Sequence, residues 1–144
     1  MPSADVANGE RFERIGIAAD PESVARIREQ FADWLESFFN LDPIRASDVV
    51  LAINEALANS AEFAYLLADR PGTIDVQARY EQSAEKLTVT VSDKGLWRVP
   101  DPAPATRTRG RGIPLMRALT DRATIDTSSG GTRVCLEWNG VARP

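Results

Sequence analysis

With 144 residues, 43% of them hydrophobic and 26% charged, the chain suits one domain with a real core; it lacks a disordered composition and any run of about 18 apolar residues that would span a membrane. Histidine is absent and cysteine occurs once, at Cys135, which excludes imidazole-based catalysis, His-ligated zinc and a disulfide framework, and leaves a carboxylate, or less readily a lysine, as general base. The net charge of −4 divides into −8 over residues 1–92 and +4 over residues 93–144, with six arginines between Arg98 and Arg122, a pattern that suits a local phosphate site better than a general nucleic-acid surface.

In chain order, residues 1–9 read as a flexible leader, without the apolar core of a secretory signal, so the cytoplasm is the expected location. Residues 10–18 alternate weakly, with Phe12, Ile15 and Ile17 apolar, and predict a strand. Asp20-Pro21-Glu22 is a helix start: a capping aspartate, proline in the first turn and an acid at the positive helix end. The helix it opens runs to about Phe39, with Val24, Ile27, Phe31, Trp34, Leu35 and Phe38 on one face. Asn40–Pro43 predicts a turn, and Ser47 the start of a second helix reaching about Leu67.

Arg70-Pro71-Gly72 predicts another turn. Thr73–Glu81 and Lys86–Ser92 alternate as strands, joined as a hairpin. Residues 93–111 carry Pro100, Pro102, Pro104, Gly95 and Gly110 without periodicity; an irregular stretch of that length inside a small domain reads as a functional lid. A short helix follows at about 112–119. Two strands, 123–127 and 132–137, then form a hairpin through Ser128-Ser129-Gly130-Gly131. Cys135, on the last of these, is expected in the core. The pattern predicts an α+β, two-layer domain over residues 10–138, with 139–144 as a tail.

Four segments carry chemistry. On the second helix, Asp48, Glu55, Asn59 and Glu62 share one side, opposite Val49, Ile53, Ala56, Leu57, Ser60 and Ala64. Glu55 and Asn59, four apart, are neighbours; taken alone this is also the pattern of a solvated helix face. Asp93-Lys94-Gly95 ends an apolar strand, and would set a carboxylate at a pocket mouth or simply make a turn. Gly110 and Gly112 precede a helix among Arg107, Arg109 and Arg111, so that backbone N–H groups could approach an anion at its positive end. Gly131-Thr132 opens the last strand.

In that order, Glu-x-x-x-Asn, Asp-x-Gly, Gly-x-Gly and Gly-Thr resemble the GHKL ATPase superfamily. The string Gly-Arg-Gly-Ile-Pro-Leu-Met-Arg-Ala-Leu-Thr-Asp resembles most its anti-sigma-factor serine kinase branch, the RsbW and SpoIIAB type. The resemblance implies a Bergerat fold: a two-layer α/β sandwich of one mixed, mostly antiparallel sheet with helices on one face. It implies ATP and Mg²⁺ as ligands, Glu55 as general base and Asn59 as the metal-binding amide. It gives Asp93 the adenine amino group, Gly95 a place beside the base, Gly110 and Gly112 the phosphates, and Thr132 the support of the adenine pocket. Arg107, Arg109 or Arg111 would clamp phosphate. The implied partners are a sigma factor, a STAS-type anti-sigma-factor antagonist as substrate, and a second copy in a homodimer, with no direct nucleic acid and no membrane. Phe63 stands where many members carry His, and Trp97 where many carry a second glycine. The first departure leaves open a nucleotide-binding interaction module with little kinase activity.

Overall fold

Asp20 closes the first turn of α1 (Pro21–Phe38) as its sequence predicts: Oδ1 accepts the Ser23 N–H at 2.7 Å. That bond to the ionised form holds the Asp20 carboxyl below its ordinary value. The same device opens α2 (Pro43–Leu66), where Asp42 Oδ1 accepts from Arg45 N at 2.8 Å and Asp42 O from Ala46 N at 2.9 Å. Asp42-Pro43 is thus a helix start and not the end of a turn, and α2 begins four residues before the expected Ser47. The computed structural model describes residues 6–66, 72–93, 114–128 and 131–141.

Six strands form one sheet in the order β1-β2-β3-β4-β6-β5: β1 (Val6–Ala7), β2 (Arg11–Ala18), β3 (Thr73–Glu81), β4 (Lys86–Asp93), β5 (Arg122–Ser128) and β6 (Gly131–Trp138). Among the described residues every pairing in it is antiparallel. Val6–Ala7, in the stretch expected to be a leader, pairs with Phe12 and Glu13. A bulge interrupts β2 between Arg14 and Ile17, and Gly16 takes the left-handed backbone (φ +71°) it requires. Residues 114–119 form a short helix tied to β6 by Trp138 Nε1 donating to Leu119 O at 2.9 Å.

Both long helices cover the same face of the sheet, α1 over β2 and α2 over β3 and β4. The alternation in β3 and β4 follows from this: Ile74, Val76, Ala78 and Tyr80, with Leu87, Val89 and Val91, are buried, and their neighbours face outward. Cys135 belongs to the outward set. It is half-buried between Thr90 and Thr124 in the register, because the buried residues of β6 are Thr132, Val134, Leu136 and Trp138. The core expectation for Cys135 fails on that phase.

An aromatic seam joins the layers. Phe12, Phe31, Trp34, Phe39 and Tyr80 follow one another with ring centroids 4.8–5.7 Å apart. Each buried ring of this size contributes roughly 1.5–3 kcal/mol. Phe39, the C-cap of α1, is the buried member, while Phe38 is only partly covered. Residues 139–141 are held as well: Tyr80 Oη donates to Val141 O at 2.6 Å, Val141 N to Glu85 O at 2.9 Å, and Asn139 N to Asp121 Oδ2 at 2.6 Å. No described helix is long and apolar enough to cross a membrane.

Candidate functional site

Five polar residues are buried among the described residues: Glu13, Asn59, Ser60, Asp93 and Thr132. Glu13 lies on the open side of the sheet, opposite Gln77, and pairs with Arg11 at 2.8 Å. The other four belong to the side that faces the helices or to α2 itself. Asp93 continues the buried row Leu87, Val89, Val91 at the end of β4. A carboxylate at the end of an apolar row must be hydrogen-bonded or serve a ligand. Its Oδ1 accepts the Thr132 N–H at 3.3 Å from β6, the adjacent strand. Thr132 is 7% exposed, and its Oγ1 has no partner among the described residues.

The course of α2 brings Asn59 to the same end. Arg45, in the first turn, donates to the carbonyl oxygens of Asn139 and Gly140, just past β6, and reaches Asp121 Oδ2 at 3.5 Å. The end of β6 lies opposite the start of β4, with Trp138 paired to Leu87. The helix therefore starts at the Leu87 end, and it packs on β4 and β3. From Arg45 to Asn59 the helix advances about 21 Å. From Leu87 to Asp93 the strand advances about 20 Å. From that start α2 carries Asn59, 9% exposed, toward the end of the strands that holds Asp93 and Thr132. Glu55, one turn earlier, and Asp48 are half-buried. The burial of Asn59 separates it from a solvated helix face.

Gly95, Arg107, Arg109, Gly110, Arg111 and Gly112, and with them the expected lid, lie outside the described residues, as does Trp97. Phe63 falls within α2. A separate groove of about 800 Å³ runs between α1 and α2, with Leu35, Phe39, Val50 and Leu51 in its walls, and none of the candidate catalytic or nucleotide-binding residues lines it. Ser60, which the sequence places on the apolar face of α2, is 2% exposed there.

Over residues 17–138 the chain matches the model of the histidine kinase-like ATPase domain. It is also similar to a crystal structure of the RsbU and RsbW domains of Rv1364c from Mycobacterium tuberculosis, with a TM-score of 0.68 and 23% identity over 93% of this chain. The chain spans 33% of that longer one, so the likeness concerns the fold. The antiparallel sheet covered on one face by two helices, the carboxylate closing β4 and the family match agree: this chain belongs to the histidine kinase-like ATPase domain family.

Proposed function

We propose that the domain is an ATP-dependent protein-serine kinase that also acts as an anti-sigma factor in the cytoplasm. Its substrate would be a serine on a STAS-type antagonist, and its other partners a sigma factor and a second copy of itself. The observation that carries the nucleotide part is the burial of three polar residues, Asn59, Asp93 and Thr132, of which Asp93 and Thr132 are bonded at the end of an otherwise apolar row. The RsbW domain in the similar structure supports the choice of partners.

In this reading Asp93 accepts the adenine amino group, which favours adenine over guanine, and Thr132 lines the same pocket. Asn59 presents one amide oxygen. The described residues contain no group of three acidic, histidine or cysteine side chains to hold a metal. One amide oxygen therefore suits Mg²⁺ that arrives with nucleotide phosphates and keeps its waters. When bound, Mg²⁺ would neutralise phosphate charge. Glu55 takes the proton of the substrate serine as its oxygen bonds to the γ-phosphorus; the bond from that phosphorus to the bridging oxygen breaks, and ADP leaves. Arg107, Arg109 and Arg111 are the candidates to hold the phosphates, with the backbone at Gly110 and Gly112, while Gly95 would lie beside the base.

The test is a calorimetric titration with ATP and Mg²⁺, with GTP as control, followed by transfer of labelled phosphate to a serine-bearing antagonist. Binding of ATP over GTP together with transfer supports the proposal. Tight ATP binding without transfer, unchanged in Glu55→Ala, supports instead an interaction module, the reading favoured by Phe63 in the place of His.

A further inference from the structure

Among the described residues two large hydrophobic side chains are exposed, Ile44 at 76% and Leu51 at 40%. They lie seven apart on α2, so at about 100° per residue both fall on one side of it. Leu51 also forms a wall of the groove of about 800 Å³ between α1 and α2. A second hollow of about 500 Å³ continues that groove along the helix pair, with Val24, Ala25, Ala58 and Ala61 in its walls. Arg28 lines both and donates to Asn54 Oδ1 at 2.9 Å, so one polar bridge divides a mainly apolar channel. An open apolar channel that runs out onto exposed leucine and isoleucine is the pattern of an interaction surface.

The charge at its edges selects the occupant. On α1 the exposed Glu22, Glu29, Asp33 and Glu36 fall within about 60° of one another, with Arg26 the one cation among them. On the α2 side Pro43, Ser47, Leu51, Asn54 and Ala58 carry no charge. The acidic edge repels an anionic membrane or nucleic acid and attracts a cationic flank. A second copy has no basic helix face to offer. Its α1 and α2 hold three arginines, of which Arg28 is bonded to Asn54 and Arg45 to Asp121 and the carbonyls of residues 139 and 140. The length of the channel suits a helix. From Ser47, in the first hollow, to Ala58, in the second, α2 advances about 16 Å. A helix lying along it spans that distance in about eleven residues, a spacing that also returns its side chains to the same face.

We propose that the groove between α1 and α2 docks an amphipathic helix of a partner protein. That helix carries two sets of apolar anchors about eleven residues apart, one for each hollow. Between them a carboxylate faces Arg28, whose guanidinium gives one of its five N–H groups to Asn54. Lysine or arginine runs along the flank that meets α1. Docking covers Leu51, and the flank toward α2 extends over Ile44. The proposal goes beyond the nucleotide reading and stands apart from it, because no residue assigned to ATP lines either hollow.

The probe is a synthetic helical peptide of about 20 residues, with leucine anchors in that spacing, one glutamate between them and lysines along one flank. A second peptide is identical except for glutamate in place of each lysine. Fluorescence anisotropy measures both on wild type, on Leu51→Gln and on the triple variant Glu29→Lys, Asp33→Lys, Glu36→Lys, with thermal unfolding of each. Wild type is expected to prefer the lysine peptide by about tenfold or more. Leu51→Gln, already exposed and so near wild type in stability, should weaken it by about tenfold. The triple variant should reverse the preference. Equal binding of the two peptides by wild type, or binding of neither, overturns the proposal, as does a preference or affinity that the variants leave unchanged. Should the triple variant fail to fold, Leu51→Gln decides alone. Sedimentation of wild type and Leu51→Gln should show the same oligomeric state; a dimer lost in Leu51→Gln overturns the proposal, because a second copy then fills the groove.

Discussion

Asp93 on β4 accepts the backbone N–H of Thr132 on β6 at 3.3 Å, across 39 residues of sequence. The bond fixes one carboxylate oxygen against the neighbouring strand and so sets the direction of the side chain at the end of the apolar row. Asp93→Asn keeps a carbonyl oxygen for that N–H but removes the charge. The fold should survive, with an unfolding temperature near wild type, while ATP affinity falls by about tenfold or more, as expected for a lost charge-assisted hydrogen bond. Calorimetry beside a thermal melt checks both halves.

Glu55 and Asn59 should separate chemistry from binding. Glu55→Gln removes the proposed base and keeps the shape; phosphate transfer is expected to fall by about 100-fold or more with ATP affinity little changed. Asn59→Asp places a buried charge where the proposal puts the triphosphate, and without a well-placed cation it should weaken binding itself. Single-turnover transfer and equilibrium titration on the same preparations distinguish the two.

Asp20 provides a pH dependence with a defined sign. Its folded-state value lies below the ordinary 3.8, through the Ser23 N–H first of all. A depressed carboxyl contributes stability that is complete above the unfolded value and is lost as pH falls through the folded one. Asp20→Asn keeps the cap but does not titrate. The stability advantage of wild type over Asp20→Asn should therefore be present at neutral pH and shrink below about pH 4. Melting curves from pH 7 to 3 would show this; a difference that stays flat counts against it.

Glu85 closes the β3–β4 turn with a left-handed backbone (φ 49°), which is costly for any residue with a Cβ. It is exposed, and only its backbone serves, accepting from Val141 N. Glu85→Gly relieves the strain at some cost in chain entropy, so a net gain of about 0.5 kcal/mol is expected. Gly16 is the converse. A Cβ there meets no atom within 4 Å, so Gly16→Ala should lose about 1 kcal/mol to backbone strain alone. Denaturant titration of both variants measures the pair.

The two central strands and both long helices were legible in the sequence because a sheet covered on one face imposes strict alternation, and a helix on that face imposes a single stripe. Val6–Ala7 was not, since two residues carry no period. Pro43 was misread because Asp-Pro serves equally as a turn and as a helix start; the capping bond from Asp42 decides it. Glu55, Asn59, Asp93 and Thr132 were singled out by their order along the chain. The meeting of Asp93 with Thr132 depends on β6 lying between β4 and β5, a non-sequential neighbour that no local pattern encodes.

The anchoring of α2 at Arg45 turns the helix into a ruler. One residue inserted between Arg45 and Asn59 would turn the amide by about 100° and shift it about 1.5 Å, carrying it off the end of the sheet. That interval cannot tolerate insertion or deletion. The turn at residues 82–85 belongs to the same anchor, because Glu85 O holds Val141 N beside the carbonyls that Arg45 grips.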